Sequence, residues 1–217
     1  MIKKSFLLAI AFLAASAIQL HAQTSKEILD KLSAKAKTFK TITADFSYTL
    51  NNPKSNTNQT MNGSVKIKGS KYYLSMSNFQ IWCDGKTVWN YNKEGNEVTI
   101  DNLADVKDGA FDPAELFTIW EKNFKHEMKN TNATVDGVAC YQIALYPNDA
   151  KNKAYHTIYL NIDKAKMEVF KAEIKTRENA TISYKVKSFK TTNEIADGEF
   201  IFNKSKFPGV EEIDNRI

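Results

Sequence analysis

The sequence predicts a mainly β protein, a long antiparallel meander accompanied by two short helices. Three observations carry that prediction. Apolar and polar residues alternate with period two through most of the chain after Ile42. Turn-forming clusters recur between the alternating runs, and helical spacing is confined to two segments. The 217 residues, 42% of them apolar, suit one domain with a real core. With 8 Gly and 4 Pro the chain is not low-complexity, and 2 Cys cannot frame a disulfide scaffold.

Lys3 and Lys4 open the chain, an apolar run follows from Phe6 to Ile18, and Leu20-His21-Ala22 ends it with small residues. This predicts a secretory signal peptide over residues 1–22, with residues 23–217 as a single domain. The leader is too short and wrongly flanked for a membrane span, and no cysteine follows it to take a lipid anchor. Its short, Ala-rich character is bacterial, which predicts export to the periplasm. Lys3 and Lys4 are its only charges, so the remainder carries two fewer positive charges than the +5 of the whole chain.

Thr24 and Glu27 have capping-box spacing, and Ile28, Leu29, Leu32, Ala36 and Phe39 follow at helical intervals. A helix is expected over residues 25–37, its lysine-rich polar face (Lys26, Lys31, Lys35, Lys37) simply solvated. From Ile42 the period becomes two: Ala44, Phe46, Tyr48 and Leu50 alternate with polar residues, as do Val65 and Ile67. Phe170, Ala172 and Ile174, then Ile182, Tyr184 and Val186, repeat the pattern. Turns are expected at Asn51-Asn52-Pro53, Gly69-Ser70, Asp84-Gly85, Gly95-Asn96, Asp136-Gly137, Pro147-Asn148 and Asp197-Gly198. The runs amount to ten or eleven strands. Asp112-Pro113 starts a second helix of about three turns, unusually apolar in Leu116, Phe117, Ile119, Trp120 and Phe124.

Such a sheet must bury its apolar face, either by splitting into a sandwich or by curling around the helices. The alternation leaves both open. Curling would keep apolar space inside, because two short helices cannot fill it, and an apolar ligand is what such space takes. Catalytic chemistry is not evident. His126 and His156 stand singly, without metal-ligand spacing. Cys83 and Cys140 form no CxxC motif and either pair with each other or stay buried as small hydrophobes. No nucleophile elbow, phosphate loop or dinucleotide motif occurs, and lysines mix with acids rather than forming a nucleic-acid stripe. No catalytic residue, metal or cofactor is expected.

Asp84-Gly85-Lys86-Thr87-Val88-Trp89-Asn90-Tyr91-Asn92 resembles the D-G-K-x-[LV]-W-x-Y-[ND] signature of the periplasmic lipoprotein carriers, the LolA-like family. Phe39 with Thr43-Ala44-Asp45-Phe46 resembles the opening of that family's first strand, and Gly63-Ser64-Val65-Lys66-Ile67 its second. Asp112-Pro113 through Trp120 corresponds to its lid helix, and Phe200-Ile201-Phe202 with Phe207-Pro208-Gly209-Val210 to its end. The resemblance implies a curved antiparallel half-barrel closed by an N-terminal helix and a short helical lid over an apolar cavity. It implies a chaperone that takes acylated lipoproteins from an ATP-driven inner-membrane release complex to an outer-membrane acceptor, working as a monomer. Two alternatives stand beside it: a lipid-sensing regulator on the same half-barrel, and a β-sandwich binding module without a cavity.

On that resemblance the cavity residues are Phe46, Tyr48, Trp89, Tyr91, Ile143, Leu145, Ile158 and Tyr184, with Leu116, Phe117 and Trp120 on the lid. Trp82 could face either way. One departure stands out. Where the family has an Arg-Pro pair whose Arg latches the lid, this chain reads Lys68-Gly69-Ser70-Lys71. Lys68 or Lys71 could replace the Arg, though without its planar fork.

Overall fold

The computed structural model describes residues 24–106, 118–121, 123–192 and 194–216. The expected signal peptide, and Leu116 and Phe117 of the expected lid, lie outside those residues. Helix α1 spans Ser25–Ala36. Twelve strands follow: β1 Ile42–Asn52, β2 Thr57–Lys68, β3 Lys71–Met76, β4 Phe79–Cys83, β5 Thr87–Asn92 and β6 Glu97–Asn102, then β7 Phe124–Val135, β8 Val138–Pro147, β9 Tyr155–Asp163, β10 Glu168–Thr176, β11 Thr181–Lys190 and β12 Glu211–Asp214.

All twelve belong to one open, curved sheet ordered β12-β6-β5-β4-β3-β2-β1-β11-β10-β9-β8-β7. Two meanders, β1 to β6 and β7 to β11, meet where β1 pairs with β11, so the chain's first and eleventh strands form the seam. Every pairing is antiparallel except β12 with β6. The sandwich alternative is thereby overturned. The strand count exceeds the expected ten or eleven because the edges escape the alternation rule: β12, Glu-Glu-Ile-Asp, is exposed throughout. The register slips between Asp45 and Phe46 on β1, at Val169/Lys171 on β10 and at two places on β7. Such bulges raise local twist and let a wide sheet curl.

α1 forms where its caps predict. Thr24 Oγ1 accepts from the Glu27 amide and Glu27 Oε2 from the Thr24 amide, both at 3.3 Å, which closes the capping box. Ile28, Leu29 and Leu32 are buried against Ile143, Leu145, Ile158, Leu160 and Ile162 of β8 and β9. The inner face of the sheet is the side that carries α1. At the helix start, Ser25 Oγ lies 2.9 Å from His126 Nδ1 on β7. The lysines do more than solvate: Lys35 pairs with Glu168 and Lys37 with Glu121.

The expected second helix is corrected at its C-terminal end. Ile119–Glu121 is a single 3-10 turn and Phe124 already opens β7. Asn123 between them has a φ of +64°, a left-handed conformation that ends helical continuation. Trp120 is 5% exposed, packs with α1, and donates from Nε1 to Ser33 Oγ at 2.7 Å. That bond satisfies two polar groups in an otherwise apolar seam.

Leu32→Ala should therefore lower stability by about 2–5 kcal/mol. Trp120→Phe, which leaves Ser33 buried without its donor, should lower it by about 1–3 kcal/mol. Both are read as shifts of the urea midpoint at unchanged slope.

Candidate functional site

Because residues facing each other across antiparallel strands share a side, register alone assigns the faces. Tyr48, Tyr184, Ala172, Leu160, Ile143 and Met128 form one continuous row across β1, β11, β10, β9, β8 and β7. Leu50, Ile182, Ile174, Ile158 and Leu145 form the next. Toward the other edge, Ala44, Val65, Leu74 and Ile81 make a third row, and Phe46, Gly63 and Met76 a fourth. These rows are the inner face. Phe46, Tyr48, Tyr184, Ile143, Leu145 and Ile158 thus share the inward side of the sheet.

Burial divides that face in two. Beneath α1 the side chains are dry: Ile143 and Leu145 are fully buried, and Ile158 is 3% exposed. The seam there, between Leu32, Ala36, Phe39, Trp120, Met167 and Val169, holds a void of about 10 Å³, room for one water at most. Beyond the helix the apolar surface continues, but Phe46, Tyr48, Leu50, Met61, Leu74, Phe79, Ile81, Ile182, Tyr184 and Val186 are all only half-buried. The band ends at β5 and β6, where the same face turns polar in Asn90, Asn92, Glu97, Thr99 and Asp101. Met61, Leu74, Phe79 and Ile81 are not singled out by the sequence pattern. Their signal is register: Met61 faces Tyr48, and Leu74 and Ile81 continue the row of Ala44 and Val65 through two hairpins, which periodicity does not reveal.

At the centre of the band Tyr48 and Tyr184 meet edge to face at 5.4 Å between centroids, and Phe46 tilts against Tyr184 at 6.2 Å. Burial pushes the Tyr184 hydroxyl up to about 12, with Tyr48 adding to the shift. It stays neutral at any physiological pH, so the band presents hydroxyl dipoles without charge.

Trp89 and Tyr91 are corrections. They alternate with Val88, which is on the inner face, and so lie on the outer one. There Tyr73, Trp82, Trp89, Tyr91 and Val98 are covered by Phe202, Phe207 and Val210 of the C-terminal segment. Tyr91 and Phe207 approach to 4.5 Å and Trp82 meets Phe202 edge-on at 5.3 Å. Alternation marks Trp89 and Tyr91 as the buried side of β5, against Asn90 and Asn92, but it does not say whether the curl's interior or a covering segment buries them. Lys68 and Lys71 are also corrected as latch substitutes. Both reach Asp197 at 2.8 Å, and Lys66 reaches Glu199 at 2.7 Å, fixing the C-terminal segment on the outer side. Cys83 and Cys140 form no disulfide and are buried on opposite faces of separate strands, so the pairing alternative falls. Among the described residues no group of three His, Cys, Asp or Glu side chains is placed to hold a metal.

Phe202→Ala should destabilise the protein by about 3–5 kcal/mol while leaving ligand binding at the inner face within about twofold. Hydrogen bonds from Lys68 and Lys71 draw the Asp197 carboxyl down to about 2 from 3.8. A depressed carboxylate favours the folded state above its unfolded value and loses that contribution as pH falls toward 2. Urea midpoints for wild type and Asp197→Asn should therefore differ at about pH 5 and converge near pH 2.

The model for the outer membrane lipoprotein carrier protein LolA matches residues 37–203. Among curated protein sequences, none matches at a significant level. An uncharacterised conserved protein from Thermus thermophilus is similar in structure with a TM-score of 0.58 at 11% identity, covering 88% of this chain and 99% of its own. A LolA superfamily protein from Nitrosomonas europaea gives 0.45 at 12% identity, over 83% and 99% of the two chains. The lipoprotein LppX of Mycobacterium tuberculosis gives 0.45 at 10%, over 79% and 100%. The first of these likenesses supports the fold, a curved sheet around a helix. With the family model spanning most of the sequence, the chain belongs to the outer membrane lipoprotein carrier protein LolA family.

Proposed function

We propose that this protein is a periplasmic carrier that shields the acyl chains of lipoproteins between the inner and outer membranes. The observation carrying this reading is the half-buried apolar band beside a fully packed helix seam. A sheet that needed only a core would continue the dry packing found under α1. Phe46, Tyr48 and Tyr184 contact the chain in this reading. Ile143, Leu145, Ile158 and Trp120 back it as a wall; Leu116 and Phe117, expected on a lid, lie outside the described residues. Residues 23–217 act as one domain after removal of residues 1–22.

The energetics suit such a cargo. Each buried methylene is worth about 0.8 kcal/mol, so one ~16-carbon chain left in water forfeits roughly 12 kcal/mol. An ATP-driven inner-membrane complex would supply the work of extraction, and an acceptor at the outer membrane would receive the cargo. Aromatic rings that slide against a chain without enclosing it favour reversible transfer. The role is binding, with no catalytic residue and no cofactor. No helix among the described residues is long and apolar enough to cross a membrane.

A photo-crosslinking residue at Tyr184 in the native host tests the proposal. Acylated proteins in the adducts, identified by mass spectrometry, are the expected result. Adducts with free lipid alone would overturn the carrier reading in favour of a lipid-sensing protein. Adducts with neither would overturn lipid binding at this face.

A further inference from the structure

We infer that Gly63 sets the depth of the apolar band, and with it the length of acyl chain the inner face accepts. The inference rests on the lipid-carrier reading above. Gly63 sits on β2 directly between its partners Phe46 on β1 and Met76 on β3. A Cβ at position 63 would stand 2.5 Å from Cζ and 2.9 Å from Cε2 of Phe46, and 3.1 Å from Cγ of Met76. The Phe46 ring therefore lies in a notch that exists because residue 63 has no side chain. Backbone conformation is not the reason for the glycine, since Gly63 is not among the residues with positive φ. Space is the reason.

Ordinary contact begins at 3.4 Å, so any side chain at 63 forces the ring up by about 1 Å or turns it aside. A ring pushed off Gly63 moves away from β2 on the inner face, toward Tyr184, whose centroid is 6.2 Å away. That is the middle of the band. The atoms that must yield, the outer edge of the Phe46 ring and Cγ of Met76, belong to side chains rather than backbone, so the sheet survives and the shape of the band changes. Each methylene displaced from the band should weaken binding about fourfold. Long chains, which fill the band, lose affinity. Short ones, which do not reach the notch, keep it.

The test is displacement of 1-anilinonaphthalene-8-sulfonate from the purified protein by palmitate and by decanoate. Gly63→Ala should weaken palmitate about tenfold or more and decanoate less than about threefold. Adding Phe46→Leu to Gly63→Ala should restore palmitate binding. Phe46→Leu alone, which leaves β2 untouched, should raise the palmitate-to-decanoate affinity ratio, and this variant decides the matter if Gly63→Ala does not fold. Parallel losses for both acids, no rescue, or an unchanged ratio in Phe46→Leu would overturn the inference while leaving the carrier reading intact. A wild-type protein that binds neither acid would overturn both.

Discussion

A sheet with an apolar side has to hide that side from water, and here one twelve-residue helix is all the regular cover the described residues provide for the inner face. The arithmetic of widths does the rest. Neighbouring strands are about 4.8 Å apart and a helix with side chains is about 10–12 Å across, so α1 shields two or three strands. It shields β8, β9 and part of β10, and there the core is dry. The half-buried surface on β1 to β4 and β11 is what remains when the helix runs out. The proposed capacity to take an apolar ligand would follow from this shortage of cover rather than from any specialised residue.

The outer face solves the opposite problem. Tyr73, Trp82, Trp89 and Tyr91 would form an exposed aromatic patch of a kind that invites association. The C-terminal segment is laid across them and held by Phe202 and Phe207 inside, and by lysine pairs to Asp197 and Glu199 at the rim. Exposed pairs of this type contribute little strength. Their value lies in fixing register, because the aromatic contacts alone would tolerate sliding. The lysines placed by sequence where a lid latch would be are thus committed to a different closure.

What could be read from the sequence follows from how locally each feature is determined. The first helix was legible to within a residue because Thr24 and Glu27 mark its start by their own chemistry. Phe46, Tyr48 and Tyr184 were legible because their strands alternate cleanly, one face apolar and one polar. Trp89 and Tyr91 were misassigned for a reason equally local. Trp89 and Tyr91 alternate with Asn90 and Asn92, so the strand states which side is buried but not what buries it. Only the distant Phe202 and Phe207 decide it, and nothing near residue 90 reports their arrival. The turn at Ile119–Glu121 was over-read as helix because an apolar run before a strand looks the same as an amphipathic face.

If the band carries acyl chains as proposed, selectivity has to come from shape, since it offers no charge to recognise a headgroup. Tyr184 is held neutral by its burial, and Lys66, Lys171, Glu173 and Lys185 lie on the outer side of their strands, each of them paired. An uncharged apolar surface accepts any chain whose methylenes it can cover. It distinguishes chains only by where it stops. The polar turn of β5 and β6 is one stop, and α1 is another. Between them, the only inner-face position on β2 without a side chain faces the Phe46 ring on β1. A surface that cannot discriminate by charge is left with depth as its variable, and depth here is a property of the pair Gly63 and Phe46 rather than of either residue alone.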